Sequence, residues 1–144
     1  MASYTVNISN STGSDLILNA YDEGVGWKTV PPTSIPNGAT GCFCNAGPNS
    51  AGGWAEYYAT VGKDKSINVK WHWRIPAVGK NHCDAETDPK DYLVVVGTGG
   101  NCSGWNPTQD FTVQPVASTS GPPSDIHQEG DKSEVQHGED GSCD

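Results

Sequence analysis

The sequence predicts an all-β protein: an antiparallel β-sandwich of about eight short strands at residues 1–117, followed by a disordered acidic tail at 118–144. Three observations predict it. Residues Ser66–Pro76 read S-I-N-V-K-W-H-W-R-I-P, with Ile67, Val69, Trp71, Trp73 and Ile75 at every second position and Asn68, Lys70, His72 and Arg74 between them. That period of two fits a strand with one buried face and excludes a helix of period 3.6. Short extended segments recur between turn signals, with 18 Gly and 10 Pro and no amphipathic helix pattern. The last 27 residues are polar and acidic, and bury too little apolar surface to offset an ordering cost of roughly 1–2 kcal/mol per residue.

The elements follow in order. Tyr4–Asn10 alternates Tyr4, Val6 and Ile8 against Thr5, Asn7 and Ser9, and ends in N-S-T-G-S-D, a turn. Leu16–Tyr21 returns as the second arm of a hairpin. Trp27–Val30 is a short extended piece stopped by Pro31 and Pro32, and P-P-T-S-I-P-N-G crosses the molecule as a loop. Thr40–Asn45 is a short strand. Gly53–Val61, the turn Gly62–Lys65 and the Ser66 strand form a hairpin. Ala77–Lys90 reads as a long polar loop, and the apolar run Leu93–Val96 as a strand buried on both faces. Thr98–Pro107 is a Gly-rich loop containing Trp105, and Asp110–Val116 closes the fold.

The net charge of −9 is uneven. Residues 1–117 carry a net of −3 and residues 118–144 a net of −6, so the body is near neutral. This argues against a nucleic-acid surface, which needs Lys and Arg to neutralise phosphates, and against purely electrostatic docking to anionic membranes. The N-terminus enters a strand pattern at once, without a basic segment and an apolar core, so synthesis in the cytosol without a signal peptide is expected. Free thiols are then expected among Cys42, Cys44, Cys83, Cys102 and Cys143, with one disulfide in the body as the alternative and Cys143 as the natural odd thiol. The C-x-C spacing of Cys42 and Cys44 is not that of a structural zinc site. Asp84, Glu86 and Asp88 lack the EF-hand loop pattern, and solvated acids are the simpler reading.

No catalytic motif stands out, so no enzyme, cofactor or metal is expected. The ligand-contact candidates are aromatic and cationic. Trp27, Trp54 and Trp105 adjoin Gly and loops and suit a membrane interface, whereas Trp71 and Trp73 are in phase with the core. Tyr21 and Tyr58 are weaker candidates. Lys70, His72 and Arg74 share one outer strand face, which is either an ordinary solvated face or the floor of a head-group site.

Several segments in order carry a family resemblance: V-N-I-S-N-S-T-G-S-D-L-I-L, G-W-K-T-V-P-P-T-S-I-P-N-G, G-G-W-A-E-Y-Y-A-T-V, R-I-P-A-V-G-K-N and D-Y-L-V-V-V-G-T-G-G. Over residues 4–116 the chain resembles the small aegerolysin-like insecticidal crystal proteins of bacteria and, more distantly, the fungal aegerolysins. The tail and the cysteines lie outside that resemblance. It implies a non-enzymatic β-sandwich that binds membrane lipid, often sphingolipid or sterol-rich, with oligomers on the membrane and a second, larger pore-forming partner. It also implies action outside the cell after non-classical release. Exposed Trp and Asn/Asp-rich loops leave a carbohydrate-binding lectin as the alternative.

Overall fold

A computed structural model of the chain describes residues 1–116, 125–132 and 143. The described residues contain eleven strands and no helix: β1 (Ala2–Asn10), β2 (Leu16–Tyr21), β3 (Trp27–Thr29), β4 (Ser34–Ile35), β5 (Thr40–Gly47), β6 (Ala51–Val61), β7 (Lys65–Ile75), β8 (Asn81–Asp88), β9 (Leu93–Gly100), β10 (Thr108–Pro115) and β11 (Ile126–Gly130). They form two sheets, one ordered β3-β5-β1-β10-β9 and the other β11-β8-β7-β6-β2-β4. The sheets pack face to face as a β-sandwich.

The central strand behaves as its alternation requires. Ile67, Val69, Trp71, Trp73 and Ile75 are buried, and β7 pairs antiparallel with β6 and β8. The hairpin from β6 turns at Gly62, whose φ of 66° lies in the left-handed region that glycine enters without a Cβ clash. Across the core, Phe43 of β5 lies 5.4 Å from Trp73 and 6.5 Å from Trp71 between ring centroids, and Tyr4 of β1 lies 5.3 Å from Trp73. Offset and edge-on rings at such spacings suit the aromatic quadrupole as well as burying large area.

Six expectations are corrected. β1 and β2 do not form a hairpin but lie in different sheets, and Leu93–Val96 belongs to the edge strand β9, with Leu93 and Val95 buried and Val94 and Val96 half-buried, rather than buried on both faces. The segment read as a polar loop contains β8, because Asn81, Cys83, Ala85 and Thr87 point inward while His82, Asp84, Glu86 and Asp88 point outward. Its inner residues are small or polar, so the alternation carries little hydropathy. The pairing is not wholly antiparallel: β1 runs parallel to β10, Thr5 opposite Thr108 and Asn10 opposite Val113. Part of the acidic tail is a strand. β11 pairs with the edge of β8, where Lys90 meets Asp125 at 2.6 Å and His127 meets Asp84 at 3.1 Å; the rest of the segment expected to be disordered lies outside the described residues. Finally, Cys143 is not the odd thiol. Cys42 bonds Cys143 and Cys83 bonds Cys102, leaving the thiol of buried Cys44, which accepts a hydrogen bond from Thr5 Oγ1 at 3.3 Å.

Candidate functional site at one end of the sandwich

The start of β1, the β5–β6 connection, the β7–β8 loop and the β9–β10 loop meet at one end, because Ala2 pairs with Gly47 and Ala51 with Ile75. Among the described residues, three of the four exposed large hydrophobic side chains come from these segments: Met1 (65% exposed), Val78 (89%) and Trp105 (42%). Two clefts open there. One, of about 590 Å³, is lined by Met1, Pro48, Asn49, Ala77 and Trp105. The other, of about 660 Å³, shares Pro48 and Ala77 and adds Asp22, Asn45 and Arg74 among its walls. An apolar end of this kind, rimmed by polar groups, is the sort of surface a soluble protein keeps for a partner or a membrane.

The Trp105 loop is firmly held. Ser3 N donates to Trp105 O at 3.0 Å and Ser3 Oγ to Asn106 Oδ1 at 2.9 Å. Asn81, fully buried, donates through Nδ2 to Cys102 O at 2.8 Å and to Gly104 O at 2.7 Å. The Cys83–Cys102 disulfide fastens the same loop to β8. Lys132 then places its ammonium 5.1 Å from the centroid of the Trp105 ring and donates to Gly79 O at 3.1 Å. Burial among these groups pushes the Lys132 ammonium below its ordinary pKa.

The sequence-derived candidates occupy three places. Trp105 is at the apolar end, and Arg74 lines the adjoining cleft. Trp27 and Tyr21 close the core below it: Trp27 stands edge-on to Tyr21 at 5.7 Å, to Trp73 at 5.8 Å and to Phe43 at 6.0 Å, and donates through Nε1 to Asp22 O at 2.9 Å. Trp54, Tyr58, Lys70 and His72 lie on the outer face of β6 and β7, with Trp54 opposite His72 and Tyr58 opposite Asn68. Lys70 covers the Trp54 ring at 5.2 Å. Neither Trp27 nor Trp54 lines the two clefts at the end.

The outer face sets carboxylates beside imidazoles and a lysine. Asp84 lies 3.9 Å from His72 and 3.1 Å from His127, and Glu129 lies 3.6 Å from His82 and 3.9 Å from Lys80. Exposed pairs of this kind contribute little individually. Asp84, Glu86 and Asp88 stand at alternate positions of one strand, roughly 7 Å apart by strand geometry, and so do not converge on one ion. Among the described residues, no group of three or more His, Cys, Asp or Glu could hold a metal ion.

Sequence reasoning missed Met1, Pro48, Ala77, Val78 and Lys132. The signal available was Val78, an apolar residue two positions after Pro76 and just before the polar stretch from Gly79.

The fold and this end define a β-sandwich with an apolar tip. No family model and no curated protein matches the chain. Solved structures do resemble it. The crystal structure of IP-1A from Alcaligenes faecalis aligns with a TM-score of 0.56 at 17% identity, covering 81% of this chain and 92% of that one. The lipid binding protein Nakanori aligns with a TM-score of 0.51 at 13% identity, covering 81% and 71%. Likeness at such identities is a likeness of fold.

Proposed function

We propose that the protein is a non-enzymatic, aegerolysin-like module that docks on membrane lipid through the tip formed by Met1, Ala77, Val78 and Trp105. The observation that carries this reading is the gathering of exposed apolar side chains from separate parts of the chain at one end. An indole beside aliphatic groups suits the bilayer interface, where its body is apolar and its N–H stays wet. The fold likeness to a structure described as a lipid binding protein favours the same reading. Asp22 and Arg74 line the adjoining cleft and Lys132 covers the Trp105 ring, so charges of both signs border the tip. That balance suits membranes rich in uncharged sphingolipid and sterol better than strongly anionic ones.

In the finer form of the proposal, the docked module oligomerises and recruits a larger pore-forming protein in a cytolytic or insecticidal system. Two disulfides suit action in an oxidising, extracellular setting, as a protein peripheral to its target membrane. On this reading Lys70, His72, Trp54 and Tyr58 form a solvated outer face, since Lys70 occupies the ring surface that a sugar would stack on.

The test is co-sedimentation with vesicles varied in sphingolipid and sterol, reading tryptophan emission in the same samples. Trp105→Ala should weaken partition by roughly tenfold or more, the 1.4 kcal/mol that part of a buried indole supplies. Absence of binding to every mixture, or an unchanged Trp105→Ala, would sink the docking reading. Glycan binding without vesicle binding would replace it with the lectin.

A further inference from the structure

We propose that the C-terminal segment around β11 is a positioning element of the tip: Gly130–Lys132 clamp the Trp105 loop to the Val78 loop, so that both apolar loops are presented as one preformed surface. The proposal rests on the docking reading above and adds a role for a stretch whose composition suggests none.

The clamp is built from three consecutive residues. Gly130 ends β11 opposite Asn81 and is buried. A Cβ there would stand 2.1 Å from Cys102 O and 2.6 Å from Ser103 N, so only glycine lets the segment run against the backbone of the Trp105 loop. Asp131 O then accepts from Gly104 N at 3.1 Å, adding a backbone bond to the same loop. Lys132 reaches both loops at once. Its ammonium lies 5.1 Å from the Trp105 ring centroid, and it donates at 3.1 Å to Gly79 O, next to Val78.

β11 itself is registered by contacts along its whole length. Asp125 pairs with Lys90, His127 with Asp84, Glu129 with His82 and Lys80, and Gln128 hydrogen-bonds Gln109 of the opposite sheet. Lys132 is thus delivered to the tip by a strand whose position is fixed elsewhere. Two loops already held together have no ordering entropy to lose when they meet a membrane, and this preorganisation strengthens docking without adding a contact. Lys132 is a positioning residue here: it acts through Trp105 and Val78.

Three full-length variants test this: Lys132→Met keeps the stem without the charge, Lys132→Arg keeps the cation and donor, and Gly130→Val adds the forbidden Cβ. Two readouts are needed, acrylamide quenching of Trp105 without membrane (by difference from Trp105→Phe) and partition onto sphingolipid–sterol vesicles. Lys132→Met should raise Trp105 quenching and weaken partition about threefold to fivefold, the size of an exposed cation–π contact, with Lys132→Arg restoring both. Gly130→Val should do the same or more; near-UV circular dichroism checks its fold, and Lys132→Met keeps the test decisive if it does not fold. Unchanged quenching in Lys132→Met, or partition that is unchanged or tighter, overturns the clamp. A wild-type chain that binds no vesicle overturns the docking reading instead, and the quenching comparison then decides the clamp alone.

Discussion

The indole N–H of Trp73 donates to Asn45 Oδ1 at 2.8 Å, a buried bond that joins the two sheets through the middle of the aromatic core. Asn45 Oδ1 also accepts from Gly52 N at 2.8 Å, and Asn45 Nδ2 donates to Gly26 O at 2.6 Å. One amide therefore fixes β7, the start of β6 and the approach to β3 around the larger cleft. Asn45→Leu strips the buried Trp73 N–H and the half-buried Gly52 N–H of their acceptor, while Gly26 O keeps its bond from Ala46 N, and should destabilise the protein by about 1–3 kcal/mol, read by urea unfolding. Trp73→Phe should also cost roughly 1 kcal/mol more than Trp71→Phe, because Trp71 Nε1 has no hydrogen-bond partner among the described residues. The reverse order would show that the bond is not what holds the sheets.

Alkaline pH should unfold the protein through its buried tyrosines. Burial holds the Tyr4 hydroxyl well above its ordinary pKa, helped by the negative charge of Asp84, and burial alone does the same at Tyr57. Above the ordinary tyrosine pKa of about 10, the unfolded chain releases protons that the folded one retains, so the native state binds more protons and stability falls as pH rises. Tyrosinate absorbance from these two residues should therefore appear only as structure is lost, and Tyr4→Phe should flatten the decline. Reversible ionisation of every tyrosine in a chain that stays folded would contradict this.

Non-reducing peptide mapping should recover Cys42 linked to Cys143 and Cys83 linked to Cys102. Cys44, which is fully buried, should react with alkylating reagent only on unfolding. Replacing Cys83 and Cys102 together by Ser should cost about 3 kcal/mol, as expected for a loop of this length. Recovery of other pairings, or rapid labelling of Cys44 in the native protein, would refute the assignment.

What the sequence made legible was set by side-chain size. β7 announces itself because Ile67, Val69, Trp71, Trp73 and Ile75 are large and apolar against charged neighbours. β8 alternates as regularly, but its inner positions are Asn81, Cys83, Ala85 and Thr87, which become core residues through hydrogen bonds and a disulfide rather than through hydrophobicity. β11 is invisible for a related reason: its charges look like those of a solvated tail until His82, Asp84 and Lys90 supply their complements. Trp105 could be picked out from its Gly-flanked loop. Val78 gave a weak signal, and Met1 and Lys132 none, since the tip forms only after strands distant in sequence have paired.

The parallel pairing of β1 with β10 also sets when the fold can be completed. Val6 and Ile8 stand opposite Gln109 and Phe111, about a hundred residues along the chain. A strand at the centre of its sheet thus keeps one edge open until almost the whole body has left the ribosome. Closing so long a loop carries an entropy cost before any contact rewards it. The sheet therefore closes only once β10 is available, and until then the open side of β1 is the stretch most in need of protection from aggregation.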